Sequence, residues 1–184
     1  MKRLIFINGT MGAGKTAVCQ ELEKELAPCA FLDGDWCWEM HPFQVTEETK
    51  RMVVENICFL LGQFLRCSAY ETVLFCWVMQ EQAIAQEILS HLDLREVQVE
   101  RFTLMVSEQA LRQRLERDVK AGLRQPDVVE RSIRRLPLYE RMETEKIDVS
   151  DQTAAQAARQ ILLRLARADR EKGAAQANLA EKPR

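Results

Sequence analysis

The sequence lacks a long hydrophobic run. None of its apolar stretches approaches the roughly 18 residues that a membrane-spanning helix needs. The apolar run at the amino end, Leu4 to Ile7, is also too short for the core of a secretion signal. We therefore expect a cytoplasmic protein that has no membrane partner.

Histidine is scarce, and no two cysteines form a C-x-x-C pair. The chain has two histidines and six cysteines, and most of the cysteines sit in apolar stretches. Cys37-x-x-x-His41 has a spacing that could begin a zinc site, but the only other histidine is His91. Cysteine in an apolar stretch behaves as a small hydrophobic residue. We therefore expect reduced thiols rather than a zinc or disulfide scaffold.

The chain also lacks an excess of charge of either sign. It carries 26 Lys and Arg against 28 Asp and Glu, a net charge of −2. Proteins that bind nucleic acid generally carry a positive surplus, so nucleic acid is not an expected partner. A hydrophobic content of 47% and a length of 184 residues fit a globular chain with one main domain.

A phosphate-binding motif stands at the amino end. An apolar run that ends at Asn8 leads directly into a stretch that fits G-x-x-x-x-G-K-[ST], namely Gly9, Thr10, Met11, Gly12, Ala13, Gly14, Lys15 and Thr16. In this motif glycines let the backbone turn so that its N–H groups surround phosphate oxygens, and the following helix adds its positive end. Lys15 would reach the β- and γ-phosphates, and the Thr16 hydroxyl would bind Mg²⁺.

The same stretch fits a second motif less well. Gly12 to Ala17 reads as G-x-G-x-x-A, the turn of dinucleotide-binding folds. That turn follows its strand tightly, whereas the residues from Asn8 to Met11 separate the apolar run from Gly12. A pyrophosphate held by backbone alone also has no need of the Lys15-Thr16 pair. We therefore favour the triphosphate-binding loop.

Two carboxylates follow the second predicted strand. Ala30 to Leu32 is a short apolar run that ends in Asp33-Gly34-Asp35. Ligands of open parallel sheets bind beyond the carboxyl ends of the strands. One acid there can orient or deprotonate an acceptor hydroxyl, and the other can hold Mg²⁺. The alternative is a solvated Asp-Gly turn with no chemistry.

The residues after these acids favour no single interpretation. Trp36 and Trp38 either form an apolar wall around an acceptor or belong to the core of a small helical subdomain. Arg51 lies in the helical region that would flank such an acceptor. The third predicted strand, residues 72–78, has no Asp at its end, so metal binding and base catalysis fall to Asp33 and Asp35.

A cationic helix–loop–helix follows the fourth predicted strand. Residues 112–141 hold nine basic and five acidic residues, in a chain that is net negative. Arg114 and Arg117 are three positions apart and share one helix face. We predict a lid over about 112–141 that closes on phosphates, with an exposed, salt-bridged helix pair as the alternative.

The carboxyl end of the chain carries no recognisable chemistry. A short fifth strand is predicted at residues 146–149, and Thr153-x-x-Gln156 is a capping box that starts the last helix. From Arg167 the composition turns to Ala, Gln, Glu, Lys and Gly. We predict a domain over residues 1–166 and a disordered tail over 167–184.

Together these features resemble the small P-loop kinases of the AAA-type P-loop NTPase superfamily. This group includes shikimate kinase, gluconate kinase, adenylylsulfate kinase and chloramphenicol phosphotransferase. The resemblance covers about residues 1–165 and rests on the phosphate loop, the Asp33-Gly34-Asp35 turn, the arginine-bearing lid and a late Asp148-Val149-Ser150 turn. It implies a three-layer α/β P-loop NTPase fold. Its five-stranded parallel sheet would have the order 2-3-1-4-5, with a helical lid.

The resemblance also implies a reaction and roles for residues. ATP would give its γ-phosphoryl group to a hydroxyl of a small molecule, with Mg²⁺ as the metal cofactor. Lys15, Asp35 and Arg117 would be catalytic, and Thr16 and Asp33 would hold the metal. Arg114 and Arg117 would clamp the phosphates, and Ser150 would lie beside adenine. The predicted acceptor contacts are Asp35, Trp36, Trp38 and Arg51.

Two other functions stay open from the sequence. The aromatic residues after Asp35 also suit a nucleoside or nucleotide kinase, in which they would stack on a base. A nucleotide-dependent switch with weak hydrolysis is the other alternative, although neither an N-K-x-D-like motif nor an Asp after the third strand is found. The sequence leaves the acceptor open, and either a monomer or a homodimer fits it.

Overall fold

A parallel five-stranded sheet forms the centre of the computed structural model, which describes residues 1–180. The strands are β1 (Lys2–Gly9), β2 (Cys29–Asp33), β3 (Thr72–Trp77), β4 (Val97–Met105) and β5 (Glu145–Asp148). The helices are α1 (Lys15–Glu25), α2 (Glu47–Arg66), α3 (Gln82–Ser90), α4 (Glu108–Lys120), α5 (Val128–Arg134), α6 (Leu136–Glu140) and α7 (Ala154–Ala180). A 3₁₀ turn, Gly34–Trp38, follows β2 directly.

The strand order is β2-β3-β1-β4-β5, and every pair is parallel, which confirms the predicted sheet. β1 is the central strand, with β3 on one side and β4 on the other. From β1 the chain first forms β2 and β3 on one side of it, and then forms β4 and β5 on the other side. A crevice opens where the order reverses, beyond the carboxyl ends of the strands.

Alternating side chains of β1 divide the core into two layers. Leu4 and Phe6 point to the face covered by α2 and α3, whereas Ile5 and Ile7 point to the face covered by α1, α4 and α7. All four are essentially inaccessible to solvent. Because both faces of β1 are covered, its end is held rigidly, and the loop that follows starts from a fixed position.

Side chains cap the starts of three helices. Thr46 caps α2 through a bond that its side chain accepts from the Thr49 amide at 3.1 Å. Ser107 caps α4 by accepting from the Ala110 amide at 3.3 Å. The Thr153 side chain accepts from the Gln156 amide at 3.2 Å, as the capping box at the start of α7 predicts.

The last helix is longer than the sequence suggests. A disordered tail is predicted from Arg167, but α7 continues to Ala180, and residues 181–184 lie outside the described part of the chain. Two contacts tie this segment to the sheet: Arg3 pairs with Asp169 at 2.5 Å, and Lys172 pairs with Glu100 at 3.1 Å. Composition alone did not reveal these ion pairs. No described helix is long and apolar enough to span a membrane.

Candidate active site

The phosphate loop connects the central strand β1 to α1. Gly12 and Gly14 adopt φ values of 83° and 93°, a region that side-chain-bearing residues rarely occupy. A Cβ atom at Gly12 would also lie 2.7 Å from a methyl group of the buried Leu115. Glycine is therefore required at position 12 for two reasons, the backbone angle and the packing of α4 beneath the loop.

Asn8 supports the start of this loop. Its side-chain oxygen accepts bonds from the Gly9 amide at 2.8 Å and the Met79 amide at 2.9 Å, and its amide nitrogen donates to the Met79 carbonyl at 2.8 Å. These bonds join the carboxyl ends of β1 and β3. The sequence analysis assigned Asn8 no role, since its partner is 71 residues away.

Lys15 lies buried at the bottom of the loop. Its Nζ atom donates to the Thr10 carbonyl at 3.2 Å. Burial lowers the pKa of Lys15, and the Cys76 thiol and the carboxylates of Asp35 and Asp33 act in the opposite direction. The ammonium group thus faces the two predicted acids in a site with little water, where its attraction for a phosphate is strong.

Thr16 and Asp33 are in direct contact. The Thr16 hydroxyl donates to Asp33 Oδ2 at 2.6 Å, and Asp33 Oδ1 accepts from the Asp35 amide at 3.0 Å. One carboxylate therefore contacts the predicted metal ligand and also shapes the turn that presents Asp35. The sequence motifs for these residues lie in separate elements, and the fold brings them together.

Gly34 lets the acidic turn lie directly on Trp77 at the end of β3. A Cβ atom at Gly34 would stand 2.5 Å from Trp77 Cγ and 2.6 Å from Cδ1. The Trp77 side chain also acts to lower the pKa of Asp35. The indole therefore supports the turn from below and fixes the position of the second acid.

Asp35 is the acid that faces the open cleft. Partial desolvation and the neighbouring Asp33 charge raise its pKa, while Lys15, Trp77 and Arg124 act to lower it. A carboxylate with a raised pKa binds a proton more readily than an ordinary aspartate. That property suits a group that accepts a proton from an acceptor hydroxyl.

A cavity of about 580 Å³ runs along this surface. The phosphate loop forms its floor, Asp35 and Val78 stand at one end, and the loop after β5 with the start of α7 stands at the other. The residues that line it are Met11, Gly12, Ala13, Gly14, Lys15, Thr16, Ala17, Val18, Asp35, Val78, Arg114, Arg117, Asp118, Arg124, Val149, Gln152, Thr153, Ala154 and Ala157. This is enough room for a nucleotide.

The predicted lid arginines occupy different positions. Arg117 is exposed on α4 and lines the cavity. Arg114 also lines it, but its guanidinium donates to backbone carbonyls of Ala13, Val149 and Ser150. Arg124, which the sequence analysis did not single out, lines the cavity and donates to Asp118 at 2.9 Å. Its position in a basic turn after Gly122 was the available signal.

Several predicted contacts lie away from this cavity within the described chain. Trp36 is 56% exposed and packs its ring edge on Phe31, with centroids 5.2 Å apart. Trp38 packs against the α2 layer with Phe43, and Arg51 is exposed on α2. None of these three residues lines the cavity, and the aromatic wall around an acceptor stays a prediction.

Three predicted nucleotide contacts are also placed differently. The Ser150 hydroxyl donates to Asp148 at 2.7 Å and accepts from the Ser107 amide at 2.8 Å, and Ser150 is not among the residues that line the cavity. Gly9 packs against the Leu104 carbonyl, and Thr10 is buried behind the loop. The lining of the cavity begins at Met11.

The family comparison agrees with this geometry. A family model described as an AAA domain matches residues 5–135, which include the phosphate loop, both acids and the first lid helix. The chain belongs to this AAA-domain family. The matched region of this AAA domain ends inside the predicted lid, before β5 and α7. No curated protein matches the chain.

Solved structures similar to this AAA domain share its whole architecture. A gluconokinase from Sinorhizobium meliloti 1021 has a TM-score of 0.65 at 19% identity, over 89% of this chain and 91% of that chain. A tunicamycin resistance protein from Deinococcus radiodurans has a TM-score of 0.66 at 22% identity, over 90% and 96%. A shikimate kinase from Acinetobacter baumannii, in complex with shikimate, has a TM-score of 0.57 at 24% identity, over 91% and 95%. The small P-loop kinase fold that the sequence predicts is thereby confirmed.

Proposed function

We propose that this AAA domain is an ATP-dependent kinase that transfers the γ-phosphoryl group to a hydroxyl of a small molecule. The observation that carries the proposal is the placement of two acids against the phosphate loop. Thr16 contacts Asp33 at 2.6 Å, and Asp35 lines the same cavity as Lys15. A phosphate cradle, a hydroxyl–carboxylate pair and a separate acid are the parts that phosphoryl transfer requires.

The chemistry of the donors fits Mg²⁺. Thr16 and Asp33 offer oxygen ligands only, which this ion prefers. Within residues 1–180, no three His, Cys, Asp or Glu side chains come together as a metal site, so Thr16 and Asp33 would depend on phosphate oxygens and water for the other ligands. A bound Mg²⁺ would neutralise phosphate charge in this cleft.

Each remaining residue has a task set by its position. Lys15 and the amides of the phosphate loop bind the triphosphate. Asp35 orients the acceptor hydroxyl and takes its proton, since it is the acid that faces the cleft and its pKa is raised. Arg117 and Arg124 line the same cavity and stabilise negative charge on the transferring group.

Closure by the segment of about 112–141 is part of the proposal. α4 is anchored, because Leu111 and Leu115 are fully buried, whereas Leu123 in the following turn is 74% exposed. An exposed turn that carries Arg124 next to an anchored helix suits a lid that excludes water from the cleft.

The acceptor belongs to the class of small molecules. Similar structures are described as a gluconokinase, a sugar kinase and a shikimate kinase in complex with shikimate. These descriptions support a small acceptor for this chain as well.

The test is release of ADP from Mg·ATP with a panel of acceptors. The panel contains sugars, hydroxy acids, nucleosides and hydroxyl-bearing antibiotics. We expect ADP release that depends on one acceptor class and that disappears in Asp35→Asn. The control variant is Arg167→Ala, which removes an exposed ion pair on α7 far from the cavity, and it should release ADP like the wild type. Slow ADP release that no acceptor accelerates would contradict the kinase and favour a nucleotide switch.

A further inference from the structure

Arg114 connects the phosphate loop, which forms the floor of the cavity, to the loop after β5, which stands at one end of it. Its Nη1 atom donates to the Ala13 carbonyl at 3.5 Å, and its Nη2 atom donates to the Val149 carbonyl at 2.5 Å and the Ser150 carbonyl at 3.1 Å. Ala13 belongs to the phosphate loop, and the other two residues belong to the loop after β5. One guanidinium thus joins segments that are more than 130 residues apart.

The loop after β5 is shaped on its other side by an independent set of bonds. Asp148 accepts from the Ser150 amide at 2.9 Å and from its hydroxyl at 2.7 Å, and these bonds lower the pKa of Asp148. The Ser150 hydroxyl in turn accepts from the Ser107 amide at 2.8 Å. The shape of the turn is therefore set by Asp148 and Ser107, whereas its connection to the phosphate loop runs through Arg114.

The two loops bind different parts of one ligand. The phosphate loop takes the triphosphate, and Asp35 with Val78 marks the acceptor end of the cavity. The opposite end, lined by Val149, Gln152 and Thr153, is then left for the base. Because base and triphosphate are covalently joined, both loops bind well only when the distance between them is correct.

We propose that Arg114 is a positioning residue that fixes this distance, and that it does not clamp the phosphates as the family resemblance implies. The inference rests on the proposed function, since it requires a nucleoside triphosphate in this cavity. Three of the five N–H groups of the guanidinium point at backbone carbonyls. A lysine cannot replace this fork, because a single ammonium does not span three separated acceptors.

The experiment compares two ligands by calorimetry: Mg·ATP and magnesium tripolyphosphate, which has the phosphates but no base. The proteins are the wild type, Arg114→Ala, Arg114→Lys and the remote control Arg167→Ala. We expect both Arg114 variants to weaken ATP binding about tenfold or more, because several bonds from a charged donor are lost. We expect tripolyphosphate binding to change by less than about twofold, because the phosphate loop itself is intact.

Each outcome decides between the two roles. Equal weakening of ATP and tripolyphosphate by Arg114→Ala would mean a phosphate clamp and would overturn the inference. Recovery of ATP binding in Arg114→Lys would also overturn it, because charge alone would then suffice. In steady-state assays, a positioning role predicts a raised KM for ATP with a smaller change in kcat at saturation.

Failure of the proposed function gives a different result. A wild-type protein that binds neither ligand would contradict the nucleotide site as a whole. A wild type that binds both, together with variants that lose both equally, would contradict only the role of Arg114. Retained tripolyphosphate binding in the variants also shows that they are folded, so a selective loss of ATP is not a folding defect.

Discussion

The substitution Gly34→Ala tests whether the acidic turn must lie directly on Trp77. The added methyl group would stand 2.5 Å from Trp77 Cγ and 2.6 Å from Cδ1, closer than packed carbon atoms approach. Gly34 has an ordinary backbone angle, so the substitution introduces a clash without a change of backbone preference. Either the turn or the indole must move, and both hold Asp35 in place.

The expected costs follow from this geometry. Overpacking by one methyl group destabilises a protein by about 1–3 kcal/mol. In a chain of this size that corresponds to a loss of about 2–12 °C in Tm. A displacement of Asp35 by about 1 Å is expected to lower kcat about 100-fold, because proton transfer depends on placement. Affinity for Mg·ATP should stay close to that of the wild type, since the phosphate loop is not touched.

The assay is thermal unfolding together with acceptor-dependent ADP release, with Gly62→Ala as the matched control. Gly62 lies within α2, and a Cβ atom there meets only the far end of Arg66 at 3.3 Å. The same change should therefore stabilise the helix by up to about 1 kcal/mol. The reasoning about Trp77 would be refuted if both variants had the same Tm. It would also be refuted if Trp77→Ala failed to offset any of the cost of Gly34→Ala in a double-mutant cycle.

Three further substitutions test the proposed roles. Lys15→Met should weaken binding of Mg·ATP about tenfold or more in calorimetry without lowering the Tm of the ligand-free protein, because burial already disfavours the Lys15 charge. Asp35→Asn should lower kcat about 100-fold or more and leave ATP affinity intact. The raised pKa of Asp35 means that its ionised form destabilises the fold, so Asp35→Asn should raise the Tm at pH 8, and this gain should vanish below the ordinary aspartate pKa of 3.8. Arg124→Ala should lower kcat more than it changes the KM for ATP, whereas Asp118→Asn, which keeps the guanidinium, should have a smaller effect on kcat.

The opposite results would count against these roles. A Lys15→Met protein that binds Mg·ATP normally would remove the phosphate loop from the proposal. Equal pH profiles of Tm for the wild type and Asp35→Asn would show that burial and the Asp33 charge do not raise the pKa of Asp35 in the folded protein. Equal kinetic constants for Arg124→Ala and the wild type would contradict the role of Arg124 in stabilising charge on the transferring group.

Much of the fold was predictable because its signals are local. The phosphate loop occupies eight consecutive residues, and its glycines, lysine and threonine act together wherever the strand and helix on either side form. The capping box at Thr153, which the sequence also predicts, depends only on a neighbour three positions away. The strand order followed from the family resemblance, and the structure confirms it.

The side-chain environment of the site was less predictable, since it depends on contacts between distant segments. Trp36 and Trp38 follow a candidate catalytic acid in sequence, yet packing on Phe31 and on the α2 layer places them away from the cavity. Arg124 enters the cavity wall through a turn whose position depends on where α4 docks. Asp169 and Lys172, in the part of α7 beyond Arg167, likewise pair with Arg3 and Glu100 of the sheet, which are distant in sequence.

The sequence by itself determined that a triphosphate-binding loop begins this chain and that two carboxylates follow its second strand, because both are properties of consecutive residues. Only the tertiary structure decided that the Thr16 hydroxyl donates to Asp33 and that the turn carrying Asp35 packs on Trp77. It also decided that the Arg114 guanidinium donates to backbone carbonyls. The physical reason is that hydrogen bonds are directional. A hydrogen bond depends on the positions of atoms to within a few tenths of an ångström, and those positions are set by how whole helices and strands pack.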